Sequence, residues 1–398
     1  MADFGGADLD EFRDEARTWL EENFPKSLKD EPDLVMAAMM GEPTNPDFKL
    51  WKKRMGEKGW GTPTWPAAYG GGGLSAAEAR VLQQEMNRIG AANPIVGMGT
   101  SMFGPTLLEY GTEEQKLRHI PPIVRGTLRW CQGYSEPGAG SDLAALPTKC
   151  EDAGDHWKIN GQKIWTSGAQ YADWCFCLVR TDTSKKHDGI SFVLIDMHQP
   201  GVETRPIKLI AGNSPFCETF FTNARAEKDD MLGPLNGGWT VGKRLLQFER
   251  SGQGGTRGIA GVSLEDLARK YVGVDEQGRI ADPDLRARLM NHMADAKAHV
   301  QTIQRAMAEA KGNSSPSAAT SIMKNSGTRI GQERAELTLE IMGYQGLGWE
   351  GEAFGADELA AVRGWLSGKA TTIFGGSYEI QNNIISKRIL GLPDSLSA

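Results

Sequence analysis

Three short stretches hold the residues whose types and spacing suit chemistry. The first, TTIFGGSYEIQNNI from Thr371 to Ile384, puts Gly375 and Gly376 directly after Phe374. Glycine is used where a backbone must come close to another group, so something is expected to approach this pair. The second, CQGYSEPGAGSDLA, runs from Cys131 to Ala144. Its glycines and small residues read either as an ordinary turn or as backbone N–H groups arranged around an anion, with Ser135 and Ser141 adding hydroxyls. The third, NGQKIWTSG, runs from Asn160 to Gly168. Trp165 there reads either as core or as a platform for a flat cofactor, with Ser167 on the same strand face to donate a hydrogen bond. None of these is a dinucleotide fingerprint, because no GxGxxG follows a strand and opens a helix.

The rest of the sequence limits what these stretches can serve. A chain of 398 residues is too long for one simple core and implies two or three domains or layers. A net charge of −7 argues against nucleic acid as a partner. No apolar run reaches membrane-spanning length. The acidic start, MADFGGADLDEF, has neither a secretory nor a mitochondrial targeting pattern, so a soluble cytoplasmic protein is expected. The five cysteines show no zinc-type spacing, and the six histidines are scattered, so no metal site is expected. Cys175 and Cys177, two apart, read as reduced core residues on one strand face.

Three segments must position the stretches. To about Arg129 the chain reads as helical: Leu9, Phe12, Ala16 and Leu20 recur at helical spacing with Trp19 beside them, and Ser75 is placed to cap a later helix. From Trp130 to about Gly237 short β-branched and aromatic runs alternate with turn signals at Asn160-Gly161 and Asp188-Gly189, which predicts an antiparallel β segment. From Gly238 onward helices return. Leu285, Leu289, Met293, Ala296, Val300, Ile303 and Met307 form one stripe between Pro283 and Gly312, and a further helix is predicted from after NSSPS to about Gly343. The β segment is expected to pack against both helical parts around one site.

The order YSEPGAGSD, NGQKIWTSG, FERSGQGG, IFGGSYEIQ resembles the acyl-CoA dehydrogenase family, and GWGTPTWPAAYGGGGLS is similar to that family's N-terminal domain. The resemblance covers nearly the whole chain. It implies an α+β fold with a helical N-terminal domain (1–129), an antiparallel β middle domain (130–237) and a C-terminal four-helix bundle (238–398). It implies FAD as cofactor and α,β-dehydrogenation of an acyl-CoA to the trans-2-enoyl-CoA, as in β-oxidation and lipid catabolism. By the same resemblance Tyr134 and Ser135 lie at the flavin pyrimidine edge, and Gly140 and Ser141 at the phosphates. Trp165 packs on the ring with Thr166 beside it, Ser167 lies near flavin N5, and Ser377 and Glu379 meet the adenosine half. Ser141, Arg250 and Phe374 fall on the substrate side.

The base requires a departure from the commoner pattern. Many family members carry a glutamate directly after the aromatic of the last motif, but here Gly375 follows Phe374. Glu379 matches a cofactor-facing position instead. The resemblance to the isovaleryl and long-chain types makes Glu249, before Arg250 on the first helix of the C-terminal domain, the α-proton base, whereas a plain helix reading leaves it solvated. Gly375 is then expected to offer its backbone N–H to the thioester oxygen.

The motifs by which family homotetramers complete a neighbour's FAD site are altered. Arg269 and Lys270 are followed by no Phe-Gly, Glu340 stands where glutamine is expected, and Tyr344 where glycine is expected. A carboxylate near a pyrophosphate is unfavourable unless neutralised. One reading is the base-carrying chain of an α2β2 heterotetramer. The other is a homotetramer or homodimer using residues such as Arg279 or Arg286. The family implies an electron-transfer flavoprotein as acceptor. A flavin oxidase or monooxygenase and a non-catalytic subunit are the alternatives. A dicarboxylic, branched, sterol-side-chain or fatty acyl-CoA is left open as substrate.

Overall fold

The computed structural model describes residues 6–29, 31, 34–35, 41, 44–253, 263–310 and 319–393. At 6–8, 249–253, 307–310 and 319–321 it describes the helix but not the side chains. Two compact units emerge, one of residues 1–207 with 214–253, the other of 208–213 with 254–398. No helix among the described residues is long and apolar enough to cross a membrane.

The first unit begins with helices α1 (Gly6–Asn23), α2 (Pro46–Lys58) and α3 (Ala76–Arg88). Phe12, Ala16 and Leu20 are buried, as their spacing predicts, against Trp51, Met55, Leu82 and Met86. Ser75 caps α3 in a reciprocal box with Glu78: Glu78 N donates to Ser75 Oγ at 3.2 Å and Ser75 N to Glu78 Oε2 at 2.7 Å. A π-helical turn, Gly99–Phe103, leads into α4 (Gly104–Tyr110), and α5 (Glu113–Val124) follows.

The sheet comprises β1 (Trp130–Gly133), β2 (Lys149–Asp152), β3 (His156–Ser167), β4 (Trp174–Arg180), β5 (Ile190–Asp196), β6 (Val202–Ile207) and β7 (Phe216–Glu227). Their order is β1-β4-β2-β3-β7-β6, with β5 paired to β4. Pairing is antiparallel except where β1, and one residue of β2, meet β4 in parallel. Asp188-Gly189 does turn the chain between β4 and β5, but Asn160-Gly161 does not turn it between strands. The pair lies inside β3 at a bulge against β7. Glycine is needed there because a Cβ at Gly161 would stand 2.7 Å from the Thr148 Cα, too close for any side chain.

One core joins the sheet to α4, α5 and α6 (Gly238–Gln253) through Phe103, Leu107, Ile120, Phe176, Phe192, Val241 and Leu245. A second holds the cysteines. All five are buried free thiols, and burial pushes the Cys150 thiol up to about 12, so these are inert apolar packing groups.

The second unit is a helical bundle of α7 (Leu264–Tyr271), α8 (Pro283–Ala310), α9 (Ala319–Met342), α10 (Ala356–Gly368) and α11 (Tyr378–Ile384). Leu285 and Leu289 are buried with Leu267, Leu337 and Ile341. The α8 stripe is not covered throughout, however. Met293 is 46% and Val300 38% exposed, while His292 is buried in their stead, 3.2 Å from Glu333. Periodicity identifies an apolar face but not the element that covers it. The side chain of Met307, and Gly312, lie outside the described residues.

Candidate active site

Strand β3 and the turn after β1 carry the first group of predicted site residues. The turn closes on itself between Glu136 and Ala139, each N–H donating to the other's carbonyl at 3.0 Å. The turn presents Gly138, Gly140 and Ser141 to the surface, and a Cβ built on either glycine would meet nothing within 4 Å. Backbone at these glycines is sterically open to an approaching group. Tyr134 differs from an exposed platform: its ring is buried, edge-on to Phe176 and Phe192 at 6.2 and 6.4 Å. Ser135 is half-buried, and its carbonyl accepts from Ile164 N at 2.9 Å, which ties the turn to β3.

Trp165 is not core. It is 53% exposed, with φ at 60°, in a second bulge of β3 between Lys163 and Thr166. A bulky residue in this left-handed region costs about 1–3 kcal/mol, and such strain is found where a side chain must be aimed. Its ring meets Phe216 edge-to-face at 6.1 Å. Thr166 is completely buried, and its hydroxyl has no hydrogen-bond partner among the described residues. A buried orphan hydroxyl next to an exposed, strained indole fits a flat group with hydrogen-bonding edges. Ser167 and Gly168 border a cavity of about 120 Å³, whose walls include Gly97, Gly99, Thr100, Trp130 and Tyr171. Sequence reasoning missed this wall. Its only signal was the run of Gly97, Gly99 and Gly104 around the π-helical turn, a distortion that recurs at functional sites.

The C-terminal motif belongs to the second unit. Phe374 is 51% exposed, and Gly375 and Gly376 both take left-handed conformations, φ 66° and 91°. Only the far end of Lys324, at 3.7 Å, would meet a Cβ on Gly375, so backbone conformation rather than space requires glycine there. Ser377 caps α11 by accepting from Ile380 N at 3.4 Å. Glu379 is exposed in the first turn of α11, its carboxyl held low by its own N–H and by Ser377.

Glu249 and Arg250 lie in α6, but their side chains fall outside the described residues. Glu340 is neutralised within the chain: Arg288 Nη2 lies 2.5 Å from its Oε1. Arg269 pairs with Glu265 and Arg279 with Asp275, in both cases at 2.8–2.9 Å, and Arg286 donates to the Ile280 carbonyl at 2.7 Å. Tyr344 is 73% exposed and stacks on Phe354.

Known proteins repeat this architecture. Three family models match: the acyl-CoA dehydrogenase N-terminal domain over residues 6–127, the middle domain over 131–224 and the C-terminal domain over 236–390. Acyl-CoA dehydrogenase IpdE1 of Mycolicibacterium smegmatis is 36% identical over 406 residues, covering 97% of this chain and 98% of that protein. Among solved structures, the Tcur3481-Tcur3483 steroid ACAD is 30% identical with a TM-score of 0.76, over 99% of this chain and 100% of that one. The ChsE4-ChsE5 complex from Mycobacterium tuberculosis is 28% identical with a TM-score of 0.73, over 98% of each chain. With the glycine-lined turn, the indole platform and the orphan hydroxyl all suited to FAD, the chain belongs to the acyl-CoA dehydrogenase family and is an FAD-dependent oxidoreductase acting on acyl-CoA thioesters.

Proposed function

We propose that Glu249 is the base that removes the α-proton of the acyl-CoA, with the Gly375 N–H as a donor to the thioester oxygen. FAD, when bound, supplies the acceptor for the hydride that leaves Cβ. The chain's own task is the proton. An α-proton is barely acidic until its carbonyl is polarised and water is excluded, and the base must be held near the operating pH. The observation that carries the reading is the left-handed backbone at Gly375, which disfavours a glutamate at the position many family members use.

Glu249→Gln tests this. The variant is expected to keep FAD and bind acyl-CoA, and to lose anaerobic flavin reduction by about 10²–10⁴-fold. Reduction within a few-fold of the unaltered rate would remove Glu249 from the role.

The site divides among the remaining residues as follows. Ser135, Gly140, Ser141, Trp165, Thr166 and Ser167 hold FAD, with Tyr134 contributing through its main chain. Ser377 and Glu379 serve the adenosine half, and Ser141, Arg250 and Phe374 serve the substrate. The functional division is 1–129, 130–237 and 238–398.

The active assembly is a heteromer in which this chain carries the base and a second dehydrogenase chain completes the FAD site. Supporting it, two of the similar structures are named as pairs of chains, and Glu340 here is satisfied by Arg288. The acyl group is bulky and sterol-derived, a reading supported by the steroid enzyme among the similar structures. An electron-transfer flavoprotein accepts the electrons. Purifying the chain alone and with candidate partner chains, then measuring FAD per chain and bleaching by a panel of acyl-CoAs, separates these points. Stoichiometric FAD and turnover in the lone chain would exclude the two-chain assembly.

A further inference from the structure

Beneath the FAD-facing turn lies an ion pair that the dehydrogenation chemistry does not use. Lys163 and Glu136 are 0% and 2% exposed, and Nζ stands 2.6 Å from Glu136 Oε1. Lys163 Nζ also donates to the Tyr134 carbonyl at 3.2 Å, and the same Glu136 oxygen accepts from Thr148 N at 3.1 Å. One residue along β3, Ile164 N donates to the Ser135 carbonyl. Residues 134, 135 and 136 are therefore each fastened to adjacent positions of one strand. Two positions beyond Lys163, that strand enters the left-handed bend at Trp165.

Burying two charges is costly, and well-packed apolar residues of similar volume often give equal or greater stability. Stability alone is thus a poor reason for the pair. Geometry is a better one. A carbonyl and a carboxylate held by one ammonium cannot shift independently, so the glycine-lined turn and the indole platform keep a fixed separation.

We propose that Glu136–Lys163 is a positioning pair that sets the turn against the Trp165 bulge before FAD arrives, so that the cofactor meets a finished surface. Pre-organisation of this kind raises affinity by removing an ordering cost from binding. Neither residue touches the reacting atoms in this role.

The test combines a variant with a measurement on the unaltered protein. The double variant E136M/K163M keeps the volume apolar. It is expected to match the unaltered FAD-free protein in circular dichroism and to melt within a few degrees of it, yet to bind FAD at least tenfold more weakly by fluorescence titration. FAD affinity equal to that of the unaltered protein would overturn the proposal. If the variant does not fold, hydrogen exchange in the unaltered holoenzyme and its FAD-stripped form decides. The Ile164 and Thr148 amides are expected to be equally protected in both. Protection that arises only with FAD would show that the cofactor, not the ion pair, builds the turn.

Discussion

The two motifs proposed to meet the cofactor or substrate are built in opposite ways. The turn after β1 and the bulge of β3 rest on buried supports: a closed ion pair, interstrand hydrogen bonds and a core of aromatic rings. The Phe374–Glu379 segment rests on a helix cap and two left-handed glycines, with Ile373 70% and Phe374 51% exposed. The first can store strain at Trp165 because its surroundings over-determine the backbone. The second has little to hold a strained side chain in place, and glycine removes the strain instead. Rigid support therefore belongs to the segment proposed to hold the cofactor, and conformational tolerance to the loop proposed to meet the thioester.

Acid should separate the two regions most clearly. His119 on α5 is buried between Trp130 and Trp174, its Nε2 accepting from Arg118. Burial, with the charge of Arg118, lowers it from 6.5 to about 3. A folded pKa below the unfolded one means the native state favours the neutral ring. The stability this brings is complete above pH 6.5 and is lost as pH falls toward 3. Arg118 also holds Asp230, whose carboxyl burial raises. That group acts in the opposite sense, but in the carboxylate range below the upper part of this window. Denaturant titrations at pH 7, 6 and 5 are expected to show a loss approaching about 1.4 kcal/mol per pH unit, and His119→Leu should flatten the slope. An unchanged slope would mean that His119 is not the group responsible.

Trp165→Gly comes next. Relief of the left-handed strain and the entropy of a new glycine oppose each other, so the FAD-free protein should stay within about 1 kcal/mol of the unaltered one. FAD binding should weaken at least tenfold because the platform is gone. Equal losses in both would mean that Trp165 serves packing. Gly375→Ala probes the other region. Space is available, so the cost is the φ of 66° alone, about 1–2 kcal/mol. Flavin reduction should slow about tenfold with FAD affinity intact, as measured by stopped flow and by fluorescence.

Part of this contrast was legible in the sequence. Ser75 with Glu78 three residues on is a cap because only that spacing returns a carboxylate to the N-cap N–H, and both bonds are present. The positive φ of Gly375 agrees with its residue type, whereas that of Trp165 opposes its own and is imposed by the surrounding sheet. Asn160-Gly161 reads as turn chemistry, but the close approach of Thr148, just before β2, is what requires the glycine. Glu136 and Lys163 could not be paired from spacing: they are 27 residues apart, and the fold alone brings them to 2.6 Å. Met293 and Val300 failed similarly, since a stripe carries no record of its partner. The base at Glu249 rests on family resemblance, because one carboxylate on an amphipathic helix has no local mark of its role.

The smallest expected effect tests the assembly. Glu340 and Arg288 are 53% and 42% exposed, and exposed pairs of this kind contribute about 0–1 kcal/mol. Glu340→Gln should therefore leave melting almost unchanged. Its value lies in what glutamine would restore. If this chain served a neighbouring copy's FAD, the family's glutamine at this position should strengthen FAD binding in the lone chain. Arg288 would then keep Asp284, 3.5 Å from its Nε, as a counter-ion. If a second dehydrogenase chain completes the site, the substitution should leave FAD per lone chain unchanged. FAD content of the purified variant distinguishes the two, and a rise toward one FAD per chain would favour an assembly of identical subunits over the two-chain reading.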